Sequence, residues 1–293
     1  MRKNPEVSVI MPNFNCSCYL ERSIESILNQ TFSDFELIII DDASTDNSLE
    51  VIQKYRSDKR VNLLALTTNV GNYKARNIGI ENAKGNYIAV MDADDLADTE
   101  RLRIQYNYLK NNNQFFIGSQ GTLIDQDDNF INNLDLPLEY DYLKISLLKN
   151  NCVTHSSLFY NRKALSEKKI IKYDSSLNVA ADYAFITNCS FHFEVQNIPE
   201  RLVSYRIHPN QISVTKNDMQ IKTARYVRYL QIQRLHVKPT EKEMYLFNHF
   251  MENTILAEDD LVLTSDFLSE LLRKNDEIKL YDQELLFVYF QHL

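Results

Sequence analysis

The sequence predicts an α/β protein built on a mostly parallel central sheet with helices on both faces. Two observations carry this expectation. Between residues 7 and 91, short apolar runs of buried-strand type alternate with stretches whose apolar residues recur at helical spacing. Each run also ends in polar or acidic residues rather than fading out. Alternation at this spacing requires right-handed crossovers, which place helices on both faces of a parallel sheet.

Taken in order, Val7 to Met11 is a short β-rich run closed by Pro12, and Leu20, Ile24, Ile27 and Leu28 then follow helical spacing. Phe35 to Ile40 is a second strand ending in Asp41 and Asp42, with Ser44 placed to cap a helix through Leu49, Val51 and Ile52. Val61 to Leu66 reads as the third strand and Asn69 to Asn72 as its loop. Lys74 to Ala83 is a helix with Gly85 as its terminal cap. Tyr87 to Met91 is the fourth strand, and it runs into Asp92, Asp94 and Asp95. Taken alone, those acids are open to two readings: they cap the next helix, or they supply oxygen ligands to a hard cation. In sheets of this kind ligands bind outside the carboxyl ends of the strands. Pro12 to Asn15, Asp41 with Asp42, the loop near Asn69 and Asp92 to Asp95 all fall at that edge, which favours one shared ligand over unrelated caps.

At 293 residues the chain has room for one large domain, or for one of about 200 residues with a smaller appendage. A hydrophobic fraction of 44% with 25% charged residues is that of a well-cored protein. The formal charge of -8 excludes a general nucleic-acid binder, whose phosphate contacts need a basic surface. No apolar run reaches the roughly 18 residues of a membrane-spanning helix, and Met1 to Glu6 lacks the apolar core of a signal peptide. The expected compartment is therefore the cytoplasm. Cys16, Cys18, Cys152 and Cys189 form no metal-type or redox spacing and read as free thiols.

The blocks Val9-Ile10-Met11-Pro12-Asn13-Phe14-Asn15, Ser26 to Phe32, Glu36 to Asp46, Asn69-Val70-Gly71 with Ala75-Arg76-Asn77 and Gly79, and Asp92-x-Asp94-Asp95 closely resemble, in order, the nucleotide-binding half of glycosyltransferase family 2. Thr154-His155-Ser156-Ser157, Ala181-Asp182-Tyr183 and Tyr205-Arg206-Ile207-His208-Pro209 resemble the landmarks of its acceptor half. The resemblance spans roughly residues 5 to 215. It implies the GT-A fold, with a nucleotide-binding half at about 5–98 and an acceptor half at about 99–215. It also implies inverting transfer of a sugar from a nucleotide diphosphate sugar, most readily a UDP-sugar, to a saccharide or lipid-linked saccharide of cell-surface polysaccharide synthesis.

The same resemblance assigns roles. Pro12, Phe14, Asn15 and Asp42 belong to the nucleotide site, with Phe14 in place of the family's usual Tyr against the base and Asp42 as the acid that reads uracil or thymine. Phe keeps the stacking surface and loses the hydroxyl. Asp41 orients the turn. Arg76 approaches the nucleotide or its diphosphate, and an intramolecular pair with Asp42 or Asp92 is a second reading compatible with the first. Asp94 is the implied direct ligand of Mn²⁺ or Mg²⁺, Asp92 belongs to the donor ribose or to the metal shell, and His208 is a further candidate for the metal shell or for the donor diphosphate. Asp182 is the candidate base, and His155 lies on the acceptor side. Ala181 stands where the family carries a first acid, which raises a second reading, a nucleotide-sugar binder without turnover. A nucleotidyltransferase is the third reading, and it lacks support because Pro12 to Ser17 contains neither Gly nor Lys.

Beyond residue 215 the resemblance ends and a small helical appendage, 216–293, is expected. Lys216 to Lys242 carries 7 basic and 2 acidic residues, whereas Glu243 to Leu293 carries 3 basic and 11 acidic. Helical spacing recurs around 221–235, 243–257, 264–274 and 281–290. Two readings of the basic stretch stay open: pairing with the acidic helices, of this chain or of a second copy, or peripheral contact with anionic lipid at the inner face of the membrane.

Overall fold

The computed structural model describes residues 4–292, without the side chain of Ser213; Met1 to Lys3, part of the amino-terminal stretch read above, and Leu293 lie outside them. Four parallel strands lead the sheet: β1 (Val7–Asn13), β2 (Phe35–Asp41), β3 (Val61–Ala65) and β4 (Tyr87–Val90). Between them run α1 (Ser17–Leu28), α2 (Ser48–Gln53) and α3 (Asn72–Asn82). Strand residues alternate strictly between two cores. Val9, Met11, Leu37 and Ile39 pack with Leu20, Ile24 and Ile27 of α1. Ile10, Ile38, Ile40 and Val90 pack with Ala75 and Ile80 of α3. Period-two alternation with both sets apolar is what a doubly covered parallel strand requires.

The strand order is β3-β2-β1-β4, so the chain leaves β1 in one direction and returns past it to lay down β4 on the other side. The loops after β1 and β4 therefore diverge, and a crevice opens between them at the strand ends. Pro12 does not close β1; it pairs in register with Ile40 inside the strand. Ile10 faces β4, since its carbonyl accepts from Met91 N at 3.0 Å. Pro12 faces the same way two residues on, where β4 has ended, so its missing N–H leaves no ladder bond unmade.

Two small corrections concern the crossovers. Ser44 does not cap α2, which begins only at Ser48; its amide donates to Asp41 Oδ2 and its hydroxyl accepts from Asn13 and Asn15. Gly85 is not the cap of α3, which ends at Asn82 with Ala83 extended. Its smallness serves close packing, since a Cβ there would stand 2.5 Å from Ser8 N.

After β4 the sheet becomes mixed. The dipeptide β5 (Leu96–Ala97) precedes α4 (Arg101–Asn112), and β6 (Phe116–Ile124) and β7 (Phe130–Leu134) form a hairpin. Next come α5 (Tyr140–Ser146), β8 (Phe159–Asn161), α6 (Arg162–Glu167), α7 (Ala181–Cys189) and the long β9 (Val195–Arg206). β8 joins β4 to β6 by antiparallel pairing, β9 runs parallel to β6, and β5 pairs antiparallel with β9. The mixed part of the sheet is thus bonded edge to edge onto the parallel block.

The carboxyl-terminal region comprises α8 (Ile212–Thr215), α9 (Asn217–Arg234), α10 (Glu241–Met251), α11 (Glu258–Ile278) and α12 (Gln283–Gln291). Ile232, Phe247, Phe267, Leu271, Leu286 and Phe290 bury a third core, and Ile145 and Leu148 of the α5 segment are part of it. Of the two readings of the basic stretch, the intramolecular one is seen: Arg225 and Arg228 of α9 both pair with Glu252 after α10, at 2.6 and 2.7 Å. Among the described residues no helix is long and apolar enough to cross a membrane.

Two outcomes follow. Gly85→Ala should destabilise the protein by about 2 kcal/mol or more, because backbone must move to admit the methyl; a denaturant titration measures it. Hydrogen bonds from Arg225, followed by those from Arg228, hold the Glu252 carboxyl down to about 2 from its ordinary 4.5, against the opposing effect of burial. A depressed acid contributes stability above its unfolded pKa and loses it as pH falls through the folded one. Glu252→Gln should therefore cost about 1 kcal/mol at pH 7, after allowance for solvent screening, with the deficit shrinking between about pH 4.5 and 2 in parallel denaturant titrations.

Candidate active site

At the end of β1, Asn13 Nδ2 donates to Asp41 Oδ1 at 2.8 Å and to Ser44 Oγ at 3.1 Å. Asn15 sits in the left-handed region at φ 51, and its Oδ1 accepts from Thr45 N at 2.7 Å. Asn is among the few residues that tolerate this backbone, and its side chain ties the loop after β1 to the loop after β2. Phe14 lies between these restraints and is 49% exposed, an aromatic face held at the crevice rather than in either core. Asp41 orients the turn, as the resemblance implied.

Asp42 is buried, and its oxygens accept from Val70 N at 2.7 Å and Gly71 N at 2.8 Å. The carboxylate thereby shapes the loop before α3. Gly71 adopts φ 91, a conformation that side chains rarely take, which lets the chain turn from this clamp into the helix.

Of the readings offered for Arg76, the structure displays the intramolecular pair. Arg76 is fully buried on α3; Nη2 donates to Asp92 Oδ1 and, more weakly, to Asn72 Oδ1 at 3.4 Å, and Nη1 donates to Ile10 O at 3.5 Å. Asp92 Oδ2 accepts from Ser156 Oγ at 3.1 Å and faces His155 Nδ1 at 3.3 Å. Burial would raise the Asp92 carboxyl, but Arg76 and then His155 outweigh it and hold it well below the usual range. His155 Nε2 meets the Tyr173 hydroxyl at 3.1 Å.

The three neighbouring acids take three different environments. Asp95 is buried; its Oδ2 shares a hydrogen bond with Ser156 Oγ, and Arg206 N donates to its Oδ1 at 2.9 Å. Burial, followed by the charges of Asp94 and Asp92, pushes its carboxyl well above the ordinary value. Neither Asp94 nor Asp95 caps a helix, because the chain passes directly into β5 and α4 begins only at Arg101. Asp94 turns to the crevice, where Oδ2 lies 3.1 Å from His208 Nε2. Arg206 Nε donates to the Asp94 carbonyl at 2.6 Å, so the end of β9 holds the backbone of Asp94 while His208, two residues on, meets its side chain.

Ligands in cis positions of an octahedral ion with bonds near 2.1 Å lie about 3 Å apart, so Asp94 and His208 have the spacing and the O/N donor set for one divalent ion. Among the described residues no third His, Cys, Asp or Glu completes a cluster with them. Asp92 stands beside the pair with both oxygens engaged.

Asp182 opens α7 after Ala180, which is itself left-handed at φ 52. Its Oδ1 accepts from the Tyr73 hydroxyl at 2.9 Å and its Oδ2 from Asn151 Nδ2 at 3.0 Å. Ala181 is fully buried. The Tyr73 ring stacks on Tyr173 at 5.8 Å, which completes an unbroken set of contacts from Asp92 through His155, Tyr173 and Tyr73 to Asp182. Sequence reading did not single out Tyr73, Asn151, Ser156, Tyr173 or Arg206. Ser156 and Arg206 lie inside quoted blocks and were within reach, whereas Tyr73, Asn151 and Tyr173 carry no local signature.

A parallel four-stranded half with its acids at the switch point, continued into a mixed half that brings a further carboxylate and a histidine to the same edge, defines a GT-A type α/β transferase. Comparison with known proteins agrees. The profile described as Glycosyl transferase family 2 matches residues 8–168, and the chain belongs to glycosyltransferase family 2. An uncharacterised glycosyltransferase of Haemophilus influenzae is 32% identical over 244 residues, covering 83% of this chain and 94% of its own. The O-antigen biosynthesis glycosyltransferase WbnJ of Escherichia coli is 33% identical over 209 residues, 69% of this chain and 80% of its own. Among solved structures, residues 1–349 of S. aureus TarS in complex with UDP align with a TM-score of 0.63 at 18% identity, covering 92% of this chain and 80% of that one. A mannosyltransferase of Pyrobaculum calidifontis in complex with GDP-Man and Mn²⁺ aligns at 0.61 and 17%, covering 97% and 86%. At such identities the structures speak to the fold.

Arg76→Met should destabilise the protein by about 3–5 kcal/mol, since it strands the Asp92 charge in a largely buried site. Adding Asp92→Asn should restore part of the loss, and denaturant titration of the two variants tests this.

Proposed function

We propose that this glycosyltransferase is inverting and metal-dependent, and that it moves a sugar from a nucleotide diphosphate sugar, a UDP-sugar by preference, to a saccharide or lipid-linked saccharide acceptor in cell-surface polysaccharide synthesis. The observation that carries the reading is the contact path from the acids after β4 to Asp182. It joins the residues expected to hold the donor to the residue expected to take the acceptor proton, all at one edge of the sheet.

In this reading Phe14 offers its exposed ring to the nucleobase, framed by Pro12 and Asn15. Asp42 keeps one lone pair on each oxygen beyond its two backbone bonds, which an imide N–H can occupy. Arg76 acts at one remove by keeping Asp92 ionised beside the diphosphate. Asp94 and His208 would hold a divalent ion, Mn²⁺ or Mg²⁺, and that ion would supply positive charge to offset the departing diphosphate. Asp182 takes the proton of the acceptor hydroxyl as it attacks the sugar carbon from the opposite face. His155 holds Asp92 from the acceptor side and does not itself reach Asp182; Tyr173 and Tyr73 intervene.

The UDP preference draws support from the TarS neighbour solved with UDP, and the acceptor class from the O-antigen enzyme. A lipid-linked acceptor suits the exposed face of α9, where Met219, Tyr226 and Leu230 recur at helical spacing beside Lys222.

The test is a thermal-shift and transfer panel of nucleotides and nucleotide sugars with and without Mn²⁺. A nucleotide at 100 times its dissociation constant adds about 2.7 kcal/mol, a readily measured rise in melting temperature. Asp94→Asn and His208→Ala should each weaken Mn²⁺ dependence of UDP binding. Asp182→Asn should cut transfer by about 10² to 10⁴ while UDP still binds. No response to any uridine, thymidine or guanosine ligand would overturn the donor assignment, and full transfer by Asp182→Asn would remove it as the base.

A further inference from the structure

Asp182 is held from two sides. Tyr73 reaches it from the first turn of α3, in the nucleotide-binding half, and Asn151 reaches it from the segment after α5, in the acceptor half. Each takes one carboxylate oxygen, at 2.9 and 3.0 Å, and each oxygen keeps a second lone pair. A carboxylate on a short side chain has two torsions to fix. Two donors on its two oxygens fix both and leave the free lone pairs at set positions.

Tyr73 is itself well restrained. Its ring stacks on Tyr173, which also stacks on Phe185 at 4.4 Å. Asn77, one turn along α3, grips the Tyr173 backbone, donating from Nδ2 to Tyr173 O at 2.8 Å and accepting on Oδ1 from Tyr173 N at 2.9 Å. Burial, then the Asp182 charge, push the Tyr73 phenol far above its ordinary value. The hydroxyl therefore stays protonated at working pH and acts as a donor. Three residues on from Tyr73, Arg76 of the same helix makes the pair with Asp92. Helix α3 thus touches the acids of the donor side with one side chain and the carboxylate of the acceptor side with another.

We propose that Tyr73 and Asn151 are positioning residues for Asp182, and that α3 sets the distance between the donor-side acids and the base. The inference rests on Asp182 being the base, and it goes further: the base is aimed by a residue of the nucleotide-binding half, so geometry on the two sides of the reaction is fixed by one rigid element. A helix changes length little under load, which makes it suited to a reaction in which the attacking oxygen, the sugar carbon and the diphosphate must lie in line.

The experiment is a kinetic double-mutant cycle on the full chain. Tyr73→Phe keeps the stacked ring and removes only the hydroxyl, and Asn151→Ala removes the amide. Each should lower kcat by about 10- to 100-fold with donor KM and UDP affinity changed by less than about 2-fold, because the loss falls on the reacting geometry and not on ground-state binding. In the Asp182→Asn background the same substitutions should cost nothing further, since residues that act through one group are not additive. Melting temperature in the presence of UDP checks that each variant is folded. Asp182→Asn inactive with Tyr73→Phe fully active would overturn the positioning role while leaving Asp182 as the base. Equal losses in both backgrounds would also overturn it, since Tyr73 would then act independently of Asp182. Transfer by Asp182→Asn equal to that of the unaltered protein would overturn both readings.

Discussion

The buried pair between Arg76 and Asp92 is the contact on which the arrangement of the site depends. It fastens α3 to the end of β4 across the crevice, and it fixes the ionisation of the acid stretch by keeping a positive charge within it. A desolvated guanidinium is costly unless its charge is met, and Asp92 Oδ1 meets it through Nη2. This leaves Asp92 Oδ2 toward His155 and Ser156, and Ser156 in turn reaches Asp95. The orientation of the neighbouring acids follows from this first contact.

The acid stretch divides its labour by burial. Asp92 is ionised against an arginine, Asp95 is buried with its carboxyl pushed up by its surroundings, and Asp94 faces the crevice beside His208. Placing three full negative charges within four residues would be strongly repulsive, and the structure relieves it with different partners for each. A second buried cation helps from below: Arg101 Nη2 donates to Val90 O at 2.8 Å, and burial lowers its guanidinium only to about 9, so it stays charged at neutral pH.

The parallel half was legible because its signals are local. Alternating apolar residues in Val7 to Met11 and Phe35 to Ile40 show two buried faces, and the polar ends of those runs mark the edge where the crevice opens. The reading failed where a residue's partner lies far along the chain. Ser44 looked like a helix cap because caps are local, whereas its partners Asn13 and Asn15 belong to another strand end. Gly85 likewise looked like a helix stop and is instead a point of close approach to Ser8. Tyr73 and Asp182 are separated by 109 residues, and no spacing in the sequence relates them. Arg76 showed its charge in the sequence but not its direction, which is set by the desolvation of α3.

The carboxyl-terminal helices have a consequence beyond their own packing. Their core is closed by Ile145 and Leu148, on the segment that leads straight into Asn151. Arg228 of α9 also clasps that segment, donating to the Lys149 carbonyl at 2.7 Å. The bundle is therefore a foundation for the segment that carries Asn151 and not a detachable passenger. A lineage that exchanged these helices for others would have to rebuild the footing of Asn151 at the same time, so diversification at this end of the protein is coupled to the setting of Asp182.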